Sequence, residues 1–133
     1  MREIGHFIGG KEVEGLSGRH GDVFDPNTGE VQARVALAGH SEVEHAIALA
    51  VAAQPDWGAT NPQRRARVLM KFLELVHRDY DSLANLLSSE HGKTIADAKG
   101  DIQRGLEVVE FACGIPHLIK GEYSDGAGPG IDL

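Results

Sequence analysis

Gly92-Lys93-Thr94 holds the residue types that close a phosphate-binding loop, where backbone amides cradle phosphate and the lysine and hydroxyl reach its terminal oxygens and magnesium. The full motif also requires a glycine five positions earlier, and Leu87 stands there, on the apolar side of a helical pattern. Phosphate binding at this loop is therefore not expected. Gly126-Ala127-Gly128-Pro129-Gly130 has the glycine density of a dinucleotide fingerprint, but it lacks the strand before, the helix after and the third glycine at the required offset. Pro129 also removes an amide that a pyrophosphate would use, so the segment reads as a connector.

Cys113 falls one turn after Val109 on the apolar side of a predicted helix, where a thiol behaves as a small hydrophobe and not as an activated nucleophile. As the single cysteine it rules out an intrachain disulfide framework and a multi-cysteine zinc site, and it suits a reducing, cytoplasmic compartment. Seven histidines are scattered without a His-Glu-x-x-His pair; His40 and His45 straddle a helix start. No metal site is expected. Arg64, Arg65, Arg67 and Lys71 form the one basic cluster, without interleaved aromatics, and read as a solvated helix face or subunit contact. No catalytic residue can be assigned.

The elements that would position these residues begin with strands and turns over residues 1–40. Phe7-Ile8, Gly9-Gly10 and Lys11-Glu12-Val13 read as a hairpin, Asp25-Pro26-Asn27-Thr28-Gly29 as a turn, and Val31, Ala33, Val35 and Leu37 as the apolar face of a strand. The helical segment, 41–120, opens at Ser41 with Glu44 as its capping-box partner; Val43, Ala46, Ile47, Ala50 and Val51 repeat at helical spacing, and Pro55 is expected to stop the helix. Asn61 and Pro62 announce a second helix carrying Leu69, Phe72, Leu73 and Val76, whose pattern continues through Leu83 and Leu87 with a break near Asp79 or Asp81. Gly92 ends that run. Thr94 with Asp97 caps a further helix in which Ile102, Leu106, Val109 and either Phe111 or Cys113 face inward, limited by Pro116. Residues 121–133 read as a Gly-rich connector, with Ile131-Asp132-Leu133 starting a strand.

The expected fold is thus α+β and helix-dominated: an N-terminal hairpin and short strands, then three or four amphipathic helices, all one partial domain. Strands and helices do not alternate as they would in a parallel sheet. The helices carry more apolar face than these few strands can cover, so part of the core is expected to come from sequence beyond Leu133 or from another chain.

With 41% hydrophobic and 25% charged residues the composition is that of an ordinary folded domain and argues against disorder. The net charge of −7 opposes phosphate neutralisation, so nucleic acid is not an expected partner. Neither a targeting signal nor a run of about 18 apolar residues is present, which leaves membrane insertion unsupported.

Taken in order, Phe7-Ile8-Gly9-Gly10-Lys11, Asp25-Pro26-Asn27-Thr28-Gly29-Glu30-Val31, Trp57, the Arg64 to Arg67 helix and Glu90-His91-Gly92-Lys93-Thr94 resemble the opening of an aldehyde dehydrogenase. The stretch from Ser89 to Ala112, with Lys99-Gly100-Asp101-Ile102-Gln103-Arg104-Gly105-Leu106 at its centre, is similar in particular to the CoA-acylating methylmalonate-semialdehyde dehydrogenases. General aldehyde dehydrogenases tend to have Thr-Gly-Lys-Pro where this chain has His91-Gly92-Lys93-Thr94.

The resemblance implies an NAD-dependent oxidoreductase of valine catabolism: a cysteine thiolate attacks an aldehyde, hydride passes to NAD, and the acyl group is released to CoA with loss of carbon dioxide. It covers only the family's beginning, an incomplete portion of the nicotinamide-binding domain. The Rossmann strands, the oxyanion-holding Asn, the NAD contacts and the nucleophile would all come later. NAD and CoA are therefore expected in the full-length parent and not on this chain alone, which should be inactive.

The resemblance offers one substrate-binding residue, Arg104, at a position where the subfamily places an arginine thought to hold the substrate carboxylate. Its structural alternative is a salt bridge to Asp101 or Glu107, each three residues away. Expected partners are the remainder of the dehydrogenase chain or other copies, as a homo-oligomer. The alternatives are a fragment of a succinate-semialdehyde or betaine-aldehyde dehydrogenase and, from another class, a stand-alone helical interaction module.

Overall fold

The computed structural model describes residues 1–122 and 128–132. Its elements run β1 (Arg2–Ile4), β2 (His6–Ile8), β3 (Lys11–Val13), β4 (His20–Phe24), β5 (Val31–Ala36), α1 (His40–Ala59), α2 (Pro62–Arg78), α3 (Tyr80–His91), α4 (Ile95–Cys113) and the single turn α5 (Ile115–Leu118). The chain is α+β with helices dominating, as expected.

Gly9 and Gly10 sit at φ +63° and +80°, the backbone that a tight turn between β2 and β3 demands and that side chains resist, so Phe7 pairs with Glu12 in the hairpin. The Asp25–Gly29 turn joins β4 to β5: the Gly29 amide donates to the Asp25 carbonyl at 2.8 Å, and the Asn27 amide to the Asp25 carboxylate at 2.8 Å.

One sheet has the order β1-β5-β4, with β4 antiparallel to β5 and β1 parallel to it through Arg2 and Ala33. The parallel pair, unexpected from the sequence, forms with no helix between its strands. A bulge at Val23/Phe24 shifts the register, and both Ala33 and Ala36 are buried while Leu37 lies beyond the strand and is exposed. The simple alternation expected over Val31–Leu37 therefore fails at its end.

Three further expectations need correction. The first helix begins at His40 with Gly39 as N-cap and Glu42 as the residue that reaches back, so Ser41 and Glu44 do not form the capping box. Pro55 lies inside α1 and does not stop it; the helix continues to Ala59, because the residues around the missing amide donor are exposed and water can serve the carbonyl it leaves free. Ile131 does not open an extended strand: it pairs back on Gly128 across a turn with Pro129 and Gly130, the latter at φ +71°. The rest of the connector, including Gly126, Ala127 and Leu133, lies outside the described residues.

Other boundaries fall where the residues put them. Asn61 Oδ1 accepts the Gln63 amide at 2.9 Å with Pro62 in the first turn, the break between α2 and α3 is at Asp79, Gly92 takes the left-handed conformation at φ +80°, and Thr94 Oγ1 accepts the Asp97 amide at 3.2 Å. Helices α2, α3 and α4 pack on one another, with α5 against α2 and α4. Ala84 and Ala98, both fully buried, let α3 and α4 approach closely, and Leu106 is the only large side chain among the most buried apolar residues described. Cys113 is partly buried and Phe111 exposed, which resolves which of the two turns inward. Among the described residues no helix is long and apolar enough to cross a membrane.

Candidate functional site

The junction of α3 and α4 carries the densest set of functional groups. Gly92 turns the chain sharply there, and a Cβ on it would lie 3.0 Å from Pro26 Cγ, so the β4–β5 turn packs against this corner. Ser88 Oγ donates to the Lys93 carbonyl at 2.6 Å and fixes the residue between the two helices. The Lys93 side chain, only 14% exposed, sends Nζ to Asp97 at 3.0 Å and to Oδ2 of Asp101. Asp101 receives Arg104 Nη2 on its other oxygen, Oδ1.

Hydrogen bonding to Lys93, more than to Arg104, holds the Asp101 carboxyl below the usual carboxylate range despite partial desolvation. The same contacts, with Asp101 ahead of Asp97, raise the Lys93 ammonium. Asp101 and Lys93 thus hold each other in their charged forms near neutral pH. One turn along, Tyr80 donates its hydroxyl to the Lys99 carbonyl at 2.7 Å, and Lys99 Nζ pairs with Asp81 at 2.7 Å, a contact that raises the lysine.

Arg104 is 67% exposed on the side chain and bonds to Asp101, while Glu107 pairs with Gln103 at 3.4 Å. A guanidinium has five N–H donors, and the bond to Asp101 engages one of its nitrogens, so donors remain for an incoming carboxylate. A Cβ on Gly100 would lie 3.7 Å from Arg104 Nη1, an ordinary contact, so this glycine does not decide where the guanidinium lies. A groove of about 460 Å³ runs between α2, α3 and α4, with Phe72, Val76, Leu83, Ile102 and Val109 on its walls and Glu90 as the one charged residue lining it; Arg104 precedes the lining residue Gly105 on α4 and is not itself part of the wall.

A larger cavity of about 890 Å³ lies between the β2/β3 hairpin and the sheet. Polar pairs border it, Arg34 with Asp22 at 3.3 Å and His20 with Glu3 at 3.8 Å. Among the described residues no group of three or more His, Cys, Asp or Glu side chains could hold a metal ion, and Cys113 is a free thiol. His40 pairs with Glu44 at 3.2 Å, away from His45. Lys71 of the basic cluster pairs with Glu74 at 2.6 Å, and Arg65 is partly buried.

Sequence reasoning singled out Arg104 and named the salt bridge to Asp101 that the structure shows, but it missed Lys93 and Asp97 on the same face. Lys93, Asp97, Asp101 and Arg104 recur at intervals of four, four and three, the spacing of one helix face, and that regularity was the available signal. Glu42 was also missed. Its carboxylate accepts the Gly39 amide at 2.7 Å and the Leu16 amide at 2.8 Å, and lies 3.6 Å from His6 Nε2; Leu16 is too remote in sequence to be inferred locally.

Residues 13–130 match the model of the aldehyde dehydrogenase family. The chain is 45% identical over 132 residues to malonate-semialdehyde dehydrogenase of Pseudomonas aeruginosa, covering 99% of this chain and 26% of that protein. It is 43% identical to an acylating mitochondrial methylmalonate-semialdehyde dehydrogenase of Arabidopsis thaliana, covering 97% of this chain and 21% of that one. A Sinorhizobium meliloti structure in complex with NAD, described as a methylmalonate-semialdehyde dehydrogenase, superposes with a TM-score of 0.94 at 62% identity, over 99% of this chain and 27% of that one. The chain spans about a quarter of the length of these proteins.

Proposed function

The chain belongs to the aldehyde dehydrogenase family, and from that premise we propose that it supplies the N-terminal portion of an NAD-dependent, CoA-acylating methylmalonate-semialdehyde dehydrogenase. The observation that carries this reading is the 62% identity, at a TM-score of 0.94, with the Sinorhizobium meliloti protein over nearly the whole chain. Relatives named for malonate semialdehyde and for methylmalonate semialdehyde both match. The two substrates differ by one methyl group and share an aldehyde two carbons from a carboxylate. Discriminating between them rests on a small apolar contact, whereas accepting either calls for a cation at the carboxylate.

We assign that cation to Arg104, on the family resemblance around it and on its largely exposed guanidinium. Its bond to Asp101 fixes one side of the fork and leaves other donors free.

The described residues do not fit a nicotinamide cofactor. They form no strand, glycine turn and helix of the dinucleotide type, and α1, which follows β5, already has the Glu42 carboxylate at its N-terminus, where it opposes a phosphate. In the proposed full-length parent, NAD would accept a hydride and CoA the acyl group, with further residues supplying the nucleophile. The parent chain's remainder, and other copies in a cytoplasmic homo-oligomer, are the proposed partners.

The test is NADH and acyl-CoA formation from methylmalonate semialdehyde, with NAD and CoA supplied, by the full-length protein bearing this segment and by the 133-residue chain alone. Turnover by the first only is expected. Turnover by the short chain that vanished on Cys113→Ser would overturn the assignment.

A further inference from the structure

Arg104 does not stand alone on α4. Asp101 bonds it through Oδ1 and bonds Lys93 through Oδ2, so one carboxylate is shared between two cations. Lys93 is the sheltered member, and Asp97 holds the same ammonium at 3.0 Å. An aspartate beside a carboxylate-binding arginine has two opposed effects: it fixes the guanidinium in one orientation, and its own charge repels the anion that the guanidinium is to receive. Lys93 offsets that repulsion from the far side of Asp101, and its low exposure protects the pair from solvent screening.

We propose that Lys93 and Asp101 are positioning residues that set the preference for carboxylated over neutral aldehydes by orienting Arg104 while cancelling the charge of the group that orients it. The inference rests on the reading of Arg104 as the carboxylate contact. Lys93 is held in place by the Ser88 hydroxyl on its carbonyl and by the Gly92 turn before it, so the ammonium is fixed by elements on both sides of the corner. The Gly-Lys-Thr segment, which lacks the earlier glycine of a phosphate loop, here serves a carboxylate through an intervening aspartate.

The experiment compares KM for methylmalonate semialdehyde with KM for propanal in the full-length enzyme, for wild type and for Lys93→Met, Lys93→Arg, Asp101→Asn and Arg104→Leu. Lys93→Met should raise the ratio of the two KM values roughly 3- to 10-fold, and Lys93→Arg should restore most of it, since charge is what Lys93 contributes. Asp101→Asn, which retains the shape but loses the ion pairs, should also raise the ratio and make it insensitive to a second Lys93→Met change, whereas a ratio lowered by Asp101→Asn would overturn the inference by showing that Asp101 only repels the substrate. A ratio unchanged in both Lys93→Met and Asp101→Asn, with Arg104→Leu still raising it, would overturn this inference and leave Arg104 acting alone. A ratio unchanged in Arg104→Leu would instead remove the reading on which it rests. Should Lys93→Met fold poorly, the Asp101→Asn arm decides in the same way.

Discussion

The amide of Leu16 and the carboxylate of Glu42, 26 residues apart in the chain, meet in a 2.8 Å hydrogen bond that ties the loop after β3 to the first turn of α1. The other Glu42 oxygen takes the Gly39 amide, and these two backbone bonds, Gly39 before Leu16, hold the carboxyl below the usual range. A folded-state value below the unfolded one means that the stabilisation is complete above the ordinary carboxylate pKa and disappears as pH falls through the folded value. Glu42→Gln should therefore lower the unfolding midpoint at about pH 7, and the gap from wild type should close as pH falls through the lowered folded-state value. A gap independent of pH in thermal melts would show that the charge of Glu42 is not what matters.

In the full-length enzyme, Arg104→Leu should weaken capture of methylmalonate semialdehyde by about 1.5–3 kcal/mol, roughly 10- to 150-fold in KM, with a much smaller effect on propanal. Arg104→Lys should recover only part of the loss, because an ammonium cannot offer two parallel donors. Steady-state kinetics on both aldehydes checks this, and equal effects would reduce Arg104 to its bond with Asp101.

The 133-residue chain should self-associate. On α1, Val43, Ile47 and Val51 are 47%, 58% and 65% exposed, and Phe72 on α2 is 50% exposed. Uncovered apolar surface beyond a few hundred Å² is unusual for a monomer and disfavoured by roughly 25 cal/mol per Å² kept wet. Light scattering coupled to size exclusion at micromolar concentration should find dimers or larger species. A monomer that binds no hydrophobic dye would show that the chain covers these faces itself.

Gly92→Ala should cost about 1–2 kcal/mol of stability, because a left-handed backbone is unfavourable for any residue with a Cβ and this one would press on the Pro26 ring. Chemical denaturation reads the loss. If Pro26→Ala relieved none of it, contact with the ring would play no part.

Local signals were legible wherever one or two residues decide the backbone. Gly9-Gly10 announced the hairpin, Asn61-Pro62 the start of α2, and Gly92 with Thr94 and Asp97 the α3–α4 corner. What the sequence hid depends on distance or on absence of contact. The parallel pairing of β1 with β5 joins Arg2 to Ala33, and no local pattern specifies such a partner. Glu42 outcompeted Glu44 because only Glu42 also meets Leu16. Arg104 was found through resemblance, but the ion pairs around it follow from α4 being one continuous helix with Lys93 directed along its first turns.

The proline inside α1 divides a helix that has little else to hold it. Of its twenty residues only Glu42 is buried, and Leu49 reaches the Gly9 turn of the hairpin, so the helix is anchored over its first half and its far end depends on its own hydrogen bonds. At Pro55 the ladder lacks a rung, and the few residues that follow it to Ala59 are far shorter than the roughly 12–15 an isolated helix needs in water. Amide protons from Pro55 onward should therefore trade with deuterated solvent nearly as fast as those of a free peptide, while those of α4 around Leu106 stay protected; the far end of α1 is the first part of the chain to come undone.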